Sequence, residues 1–162
     1  MTLLIRPATA ADRTTIWSIL EPVFRAGETY TVPVDIGETE AVDYWFSAAH
    51  EVFVAVDGAE ILGTYFLRQN QPGGGAHVAN CGYVTAMQAT GRGVARSMCQ
   101  HSLEHARARG FLAMQFNFVI GSNVRAVALW QSCGFEIAGR LPEAFRHPRL
   151  GLVDALVMYR KL

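Results

Sequence analysis

Cysteine is scarce in this 162-residue chain and its spacing suits no metal or redox motif. Cys81, Cys99 and Cys133 make an odd number without a C-x-x-C pair, so neither a zinc knuckle nor a thioredoxin-like dithiol is indicated. Three reduced, buried thiols are the expectation, as in a cytoplasmic protein. Charge is sparse too: 17% of residues, fourteen of each sign, with a formal net charge of zero. Nucleic acid and anionic membranes normally demand a basic surface, so neither is an expected partner. No apolar run reaches transmembrane length. The one in "MTLLIRPATAADRTT" is also too short for a signal peptide. The five histidines show no ligand spacing: His101 and His105 stand four apart on a helical stretch, without the Glu a zincin places after the first. No metal is expected. With no repeat, low-complexity tract or linker, the chain reads as one domain over residues 1–162, and its 51% hydrophobic content supplies a sizeable core.

The remaining patterns alternate between strand and helix. "TLLIRPA" reads as a strand stopped by Pro7. "TAADRTTIWSILEPVFRAG" reads as a helix with Ile16, Ile19, Leu20 and Val23 on one face, Asp12 as its cap and Pro22 as a point of kinking. After the irregular "ETYTVPVD", "ETEAVDYWFSAAH" gives a second short helix that packs through Val42, Trp45 and Phe46. "EVFVAVDGAEILGTYFLRQ" is a hairpin about Asp57-Gly58. "NQPGGG" is a loop that fits neither regular element. "HVANCGYVT" follows as the fourth strand. From Val94 to about Arg109 runs a helix whose buried side carries Ala95, Met98, Cys99, Leu103 and Ala106, ended by Gly110. "LAMQFNFVI", a short helix ending near Cys133, "FEIAGR" and "VDALVMYR" complete the order β-α-α-β-β-β-α-β-α-β-β. That order describes a mixed α/β sheet covered by helices.

"TGRGVA" joins the fourth strand to the third helix. Gly91 and Gly93 permit close approach, Ala95 is small, and a helix N-terminus follows, which together could cradle a phosphate. Arg92 and Arg96 could add charge. A turn whose glycines serve conformation alone explains the same six residues. A Rossmann dinucleotide site fits poorly, because its fingerprint belongs at the first strand and Arg96 stands where the third glycine should be.

The C-terminal half adds a second pattern. "VTAMQATGRGVARSM" followed by "NVRAVALWQSCGFEIAGR" resembles the GCN5-related N-acetyltransferase superfamily. Its acetyl-CoA loop, Arg/Gln-x-x-Gly-x-Gly/Ala, is matched by Thr90 to Ala95 except that Thr90 occupies the first place. Its later signature is met by Asn123, Ala126, Leu129, Gly134 and Phe135, with Trp130 replacing a tyrosine. The resemblance implies the GNAT fold: a mixed, mostly antiparallel sheet of six to seven strands with flanking helices, splayed between the fourth and fifth. It also implies acetyl-CoA as cosubstrate. The backbone of Tyr83, Val84 and Thr85 would pair with the pantetheine arm. Gly91, Arg92, Gly93, Val94, Ala95 and Arg96 would hold the pyrophosphate, and Asn123 would meet the pantetheine from the other lip. Asn123 also suits the cap of the helix from Val124.

The tyrosine acid and carboxylate base of many members are missing: Trp130 and the pair Asn117-Phe118 stand at the matching places. "GTYF", "HVANCGYV", "FNFVIGSNVRAVALWQSCGF" and "AGRLPEAFR" are similar to the proline-analogue N-acetyltransferases, which acetylate cyclic secondary amino acids such as azetidine-2-carboxylate. That similarity implies Asn80 and Asn117 as the residues that bind the acceptor and assist catalysis without a strong base. An amide can accept a hydrogen bond from an amine and donate one to a carboxylate or oxyanion. Both asparagines sitting inside a sheet merely as bonded amides is the alternative. Glu28, Tyr30 and Asp35 are expected at the acceptor rim, and Phe145 and His147 on a loop before the last strand. The resemblance thus implies a small amine or amino acid as the acceptor. Acetylation of a peptide amine, a CoA-binding module without turnover, and a homodimer remain compatible with the residues.

Overall fold

The computed structural model describes residues 2–162. Seven strands form one sheet in the order β1-β2-β3-β4-β5-β7-β6. They are β1 (Leu3–Pro7), β2 (Glu51–Asp57), β3 (Glu60–Gln69), β4 (Val78–Thr85), β5 (Ala113–Ile120), β6 (Glu136–His147) and β7 (Gly151–Lys161). Four helices, α1 (Arg13–Ala26), α2 (Glu38–Trp45), α3 (Val94–Ala108) and α4 (Val124–Ser132), complete the chain in the expected order. Every strand pairing is antiparallel except β4 with β5.

The central strand β3 shows why the helices lie where they do. Thr64 and Phe66 turn to one face, where Trp45 of α2 donates its indole N–H to Thr64 Oγ1 at 3.0 Å and packs edge-on to Phe66. Gly63 and Tyr65 turn to the other. A Cβ on Gly63 would stand 2.9 Å from Met98 Cε and 3.0 Å from Val94 Cγ1, so glycine lets α3 lie close against the strand. Both faces of β3 are therefore buried, and Leu62 to Leu67 are inaccessible on either side. Trp45 is fully enclosed. Truncating so large a buried ring costs about 3–5 kcal/mol.

Several local expectations are corrected. Asp12 does not cap α1. Its carboxylate turns back to accept the Thr9 N–H at 2.7 Å and two hydrogen bonds from Arg6, at 2.8 and 2.9 Å. Phe24 rather than Val23 completes the buried face of α1, which continues past Pro22 to Ala26. Ala95 is only half-buried, and Val94 takes its place against the core. The hairpin loop is Gly58-Ala59, one residue later than expected, because Asp57 pairs with Glu60. Gly73–Gly75 closes one 3-10 turn. The largest difference is β6. It runs to His147 through "LPEAFRH", which the sequence suggested as loop, by way of register shifts between Leu141 and Phe145.

The Arg6–Asp12 pair makes stability depend on acid. Hydrogen bonds from Arg6, helped by Thr9 and opposed by burial, hold the Asp12 carboxyl down at about 2. A lowered carboxyl stabilises the fold above its unfolded pKa, and this contribution disappears as pH falls toward 2. Arg6 is 37% exposed, which weakens the pair, so about 1–2 kcal/mol is expected from it. Asp12→Asn should lower Tm at neutral pH and flatten its decline between pH 5 and 2. An unchanged acid slope would mean that the pair contributes nothing.

Candidate active site

β4 and β5 pair only through Val78–Ala113 and Ala79–Met114. Beyond these residues β4 stays with β3 as far as Thr85, while β5 stays with β7. The gap between them is a cleft of about 370 Å³ through the middle of the sheet. Asn80, 8% exposed, sits where the ladder stops, and its Nδ2 donates to the Gln115 carbonyl at 2.9 Å. A side chain thus takes over where the backbone ladder ends, and a buried carbonyl keeps its partner. Tyr83, Phe116 and Trp130 fill the α3–α4 side, with ring centroids 5.0 Å apart for Tyr83–Trp130 and 5.1 Å for Phe116–Trp130.

The other side of the cleft faces α1 and α2. Here Tyr30 donates its hydroxyl to the Tyr83 carbonyl at 3.0 Å. Burial raises the Tyr30 pKa far above the ordinary phenol value, so the group remains a hydrogen-bond donor. Gly82 forms the floor between these residues. A Cβ there would meet the Phe66 ring at 2.6 Å and the Tyr30 hydroxyl at 3.2 Å, so glycine alone keeps the floor open. Asn117 occupies the irregular stretch of β5 between Phe116 and Val119, where the register with β7 shifts. Such bulges re-aim side chains. Asn117 Oδ1 accepts from Gln115 Nε2 at 2.8 Å and its Nδ2 donates to Asn70 Oδ1 at 2.7 Å. Asn80 Oδ1 accepts from Arg68 Nε at 3.2 Å. Both catalytic candidates therefore line one cleft as members of a bonded amide network.

In the loop between β4 and α3, Gly91 and Gly93 both have φ of +82°, a conformation that favours glycine, and a Cβ on either would meet nothing within 4 Å. The Arg92 N–H bonds the Ala89 carbonyl and the Ser97 N–H bonds the Gly93 carbonyl. Among the described residues the N–H groups of Gly91, Val94, Ala95 and Arg96 meet no backbone acceptor in this loop, as is usual for the first turn of a helix. Arg92 lies beside Asp57 at 3.6 Å. The Val94 side chain is core, which leaves only its backbone to face the loop. Asn123 both lines the cleft and caps α4, its Oδ1 accepting from the Ala126 N–H at 3.3 Å.

Other candidates lie elsewhere. Glu28 is paired with Arg149 at 2.8 Å, and Asp35 is exposed outside the cleft. His147 is buried at the β6–β7 turn, where its Nδ1 accepts the N–H groups of Arg149 and Leu150. It is a turn residue rather than a base. Phe145 is buried in β6 and touches the site only through Phe118, 6.3 Å away. His101 and His105 bond Tyr65 and Glu51 where α3 packs against β2 and β3. The sequence reading missed Arg68, Tyr44, Phe66, Asn70 and Gln115. For Arg68 a signal existed: alternation places it on the same face of β3 as Thr64 and Phe66. Among the described residues no cluster of three His, Cys, Asp or Glu could hold a metal, and no helix is long and apolar enough to cross a membrane.

A model of the acetyltransferase (GNAT) family matches residues 15–135. The chain belongs to this family. It is similar to the L-methionine sulfoximine/L-methionine sulfone acetyltransferase of Pseudomonas paraeruginosa, at 31% identity over 88% of this chain and 86% of that protein. The N-acetyltransferase aca1 of Schizosaccharomyces pombe is 26% identical over 81% of this chain and 71% of its own length. Among solved structures, a GCN5-related N-acetyltransferase from Kribbella flavida superposes with a TM-score of 0.94, at 40% identity over 99% of this chain and 98% of that one. The seven-stranded sheet with its parallel β4–β5 contact is thus the GNAT fold, and the chain is an acetyltransferase of that family.

Proposed function

We propose that this acetyltransferase moves an acetyl group from acetyl-CoA to the amine of a small molecule or free amino acid, by direct attack on the thioester. The observation that carries the reading is the cleft itself. Asn80, Asn117 and Asn123 line it, and β4, one of its walls, leads past Thr85 into the loop of Gly91 and the first turn of α3. The loop fits a pyrophosphate because the space over Gly91 and Gly93 is clear and the donors converge at a helix N-terminus. Backbone groups of Tyr83, Val84 and Thr85 border the gap and can pair with an extended arm. Fixed donors there stabilise charge that grows on a carbonyl oxygen during attack. Acetyl-CoA supplies the activated acyl group, and the chain's own residues orient the acceptor.

Asn80 and Asn117 hold that acceptor in this reading, with Asn123 at the far lip. A proline analogue is the finer proposal, resting on the similarity of the segments around these asparagines. A homodimer, if one forms, would cover Ile137, Leu141 and Leu152, which are 41–47% exposed on β6 and β7.

No carboxylate and no histidine lines the cleft among the described residues. The amine must therefore lose its proton to solvent before it attacks. In a thioester-cleavage assay with a panel of amines, kcat/KM should rise about tenfold per pH unit until the free amine's own pKa. A plateau near pH 7 would reveal a histidine base and contradict this mechanism. Binding of acetyl-CoA without turnover of any amine would instead make the chain a CoA-binding module, and neither binding nor turnover would refute the reading outright.

A further inference from the structure

Arg68 is the one charged side chain among the residues that line the cleft. It projects from β3 on the α1–α2 face and lies opposite Asn80 in the strand register. It is half-buried, and only its Nε is engaged, by the Asn80 amide oxygen at 3.2 Å. Among the described residues no carboxylate lies within ion-pair distance of it. Its field nonetheless reaches neighbours: its charge contributes to the pKa shifts of both Tyr44 and His50. Burial keeps His50 below its ordinary pKa and Tyr44 above, so both flanking groups are neutral at neutral pH. A guanidinium partly removed from water, with its terminal nitrogens unclaimed, is an incomplete ion pair. Its planar fork matches a carboxylate in two parallel hydrogen bonds.

The pyrophosphate of the cosubstrate is not the missing anion. Arg68 stands beside Asn80 at the closed end of the cleft, whereas the loop follows Thr85. Five residues of strand separate the two by about 16 Å. What reaches Arg68 is the molecule that enters from the α1–α2 face.

We propose that Arg68 anchors an acidic group of the acceptor, so that the amine acetylated here belongs to an amino or imino acid with its carboxylate on the adjacent carbon. This deepens the acetyltransfer reading above and rests on it. With the carboxylate on the guanidinium, the amine lies within the reach of Asn80 and Asn117, and the nitrogen is directed toward the gap between β4 and β5. The same cation disfavours a protonated amine in the site, which assists a reaction that has no protein base. An uncharged amine would leave the guanidinium unpaired, and so the site discriminates by what it lacks as well as by what it holds.

The test compares acids with their carboxamides. L-Azetidine-2-carboxylate and L-methionine sulfone, each against its own carboxamide, are assayed with the wild type, Arg68→Gln and Arg68→Lys. The wild type should favour the acid, and the acid-to-amide ratio of kcat/KM should fall about 10- to 100-fold in Arg68→Gln, mainly through KM. Arg68→Lys should recover part of the ratio, since it keeps the charge and loses the fork. A purely structural arginine would lower both substrates together and leave the ratio alone, which overturns the proposal. Calorimetry of the N-acetylated acid and its amide repeats the comparison without turnover. Equal binding of the two by the wild type would overturn the anchor, whereas preferential binding with no acetyl transfer would overturn the reading beneath it.

Discussion

Alanine in place of Asn117 is expected to lower kcat by about 10²- to 10³-fold while the KM for acetyl-CoA stays near that of the wild type. Asn117 stands in the irregular part of β5, where neither neighbouring strand holds the ladder in register. Its amide is fixed from two sides, by Gln115 and Asn70, so its orientation does not have to be found anew at each turnover. Such preorganised polar groups act without reorganisation during the reaction, and losing one typically costs that much rate. Folding should suffer less. The side chain is only half-buried and the loss is about 1 kcal/mol, because Gln115 and Asn70 can turn to water. Steady-state kinetics with acetyl-CoA varied and then the acceptor varied separates the two effects. A kcat within threefold of wild type would make Asn117 a structural amide and move the acceptor elsewhere in the cleft.

The second large effect belongs to the loop before α3. Gly93→Ala should raise the KM for acetyl-CoA by about 100-fold or more. Two causes combine, and one control separates them. With φ at +82° an alanine is strained by about 1–2 kcal/mol. Its methyl group also enters the open space over the N–H donors, where no protein atom lies within 4 Å. Gly110, at φ +87° after the C-terminus of α3, is equally open and lies at the opposite end of that helix. Gly110→Ala should therefore cost similar stability in thermal unfolding and leave the KM unaltered. Equal KM values in the two variants would show that the loop is only a turn.

The residues of that loop show what a linear pattern can carry. Glycine spacing, a small residue at Ala95 and a helix start at Val94 are local properties, and local properties survive projection onto a sequence. For the same reason the order of strands and helices was legible throughout, since hydrophobic period and turn residues set it. The end of β6 was not. "LPEAFRHPRL" has two prolines and a register shift, and its first seven residues become strand only because β7 lies alongside to pair with them. Tertiary contact overrode local preference there, as it did at Asp12, whose partner Arg6 lies on a different element. His147 shows the same limit. An imidazole expected on a loop stands instead at the end of β6, where two backbone N–H groups donate to its ring.

The sequence by itself determined the element order, because hydrophobic period and turn residues set it, and its resemblance to a family singled out the loop of Gly91 and Gly93 and the two asparagines. Only the tertiary structure decided that β3 buries both faces, that Asn80 closes the apex of the splay, and that Arg68 is left facing the cleft without an acid. Charge complementarity is a property of neighbours in space. Arg68 and a carboxylate to neutralise it could lie anywhere along the chain, and only the folded sheet shows that, among the described residues, none was brought to it.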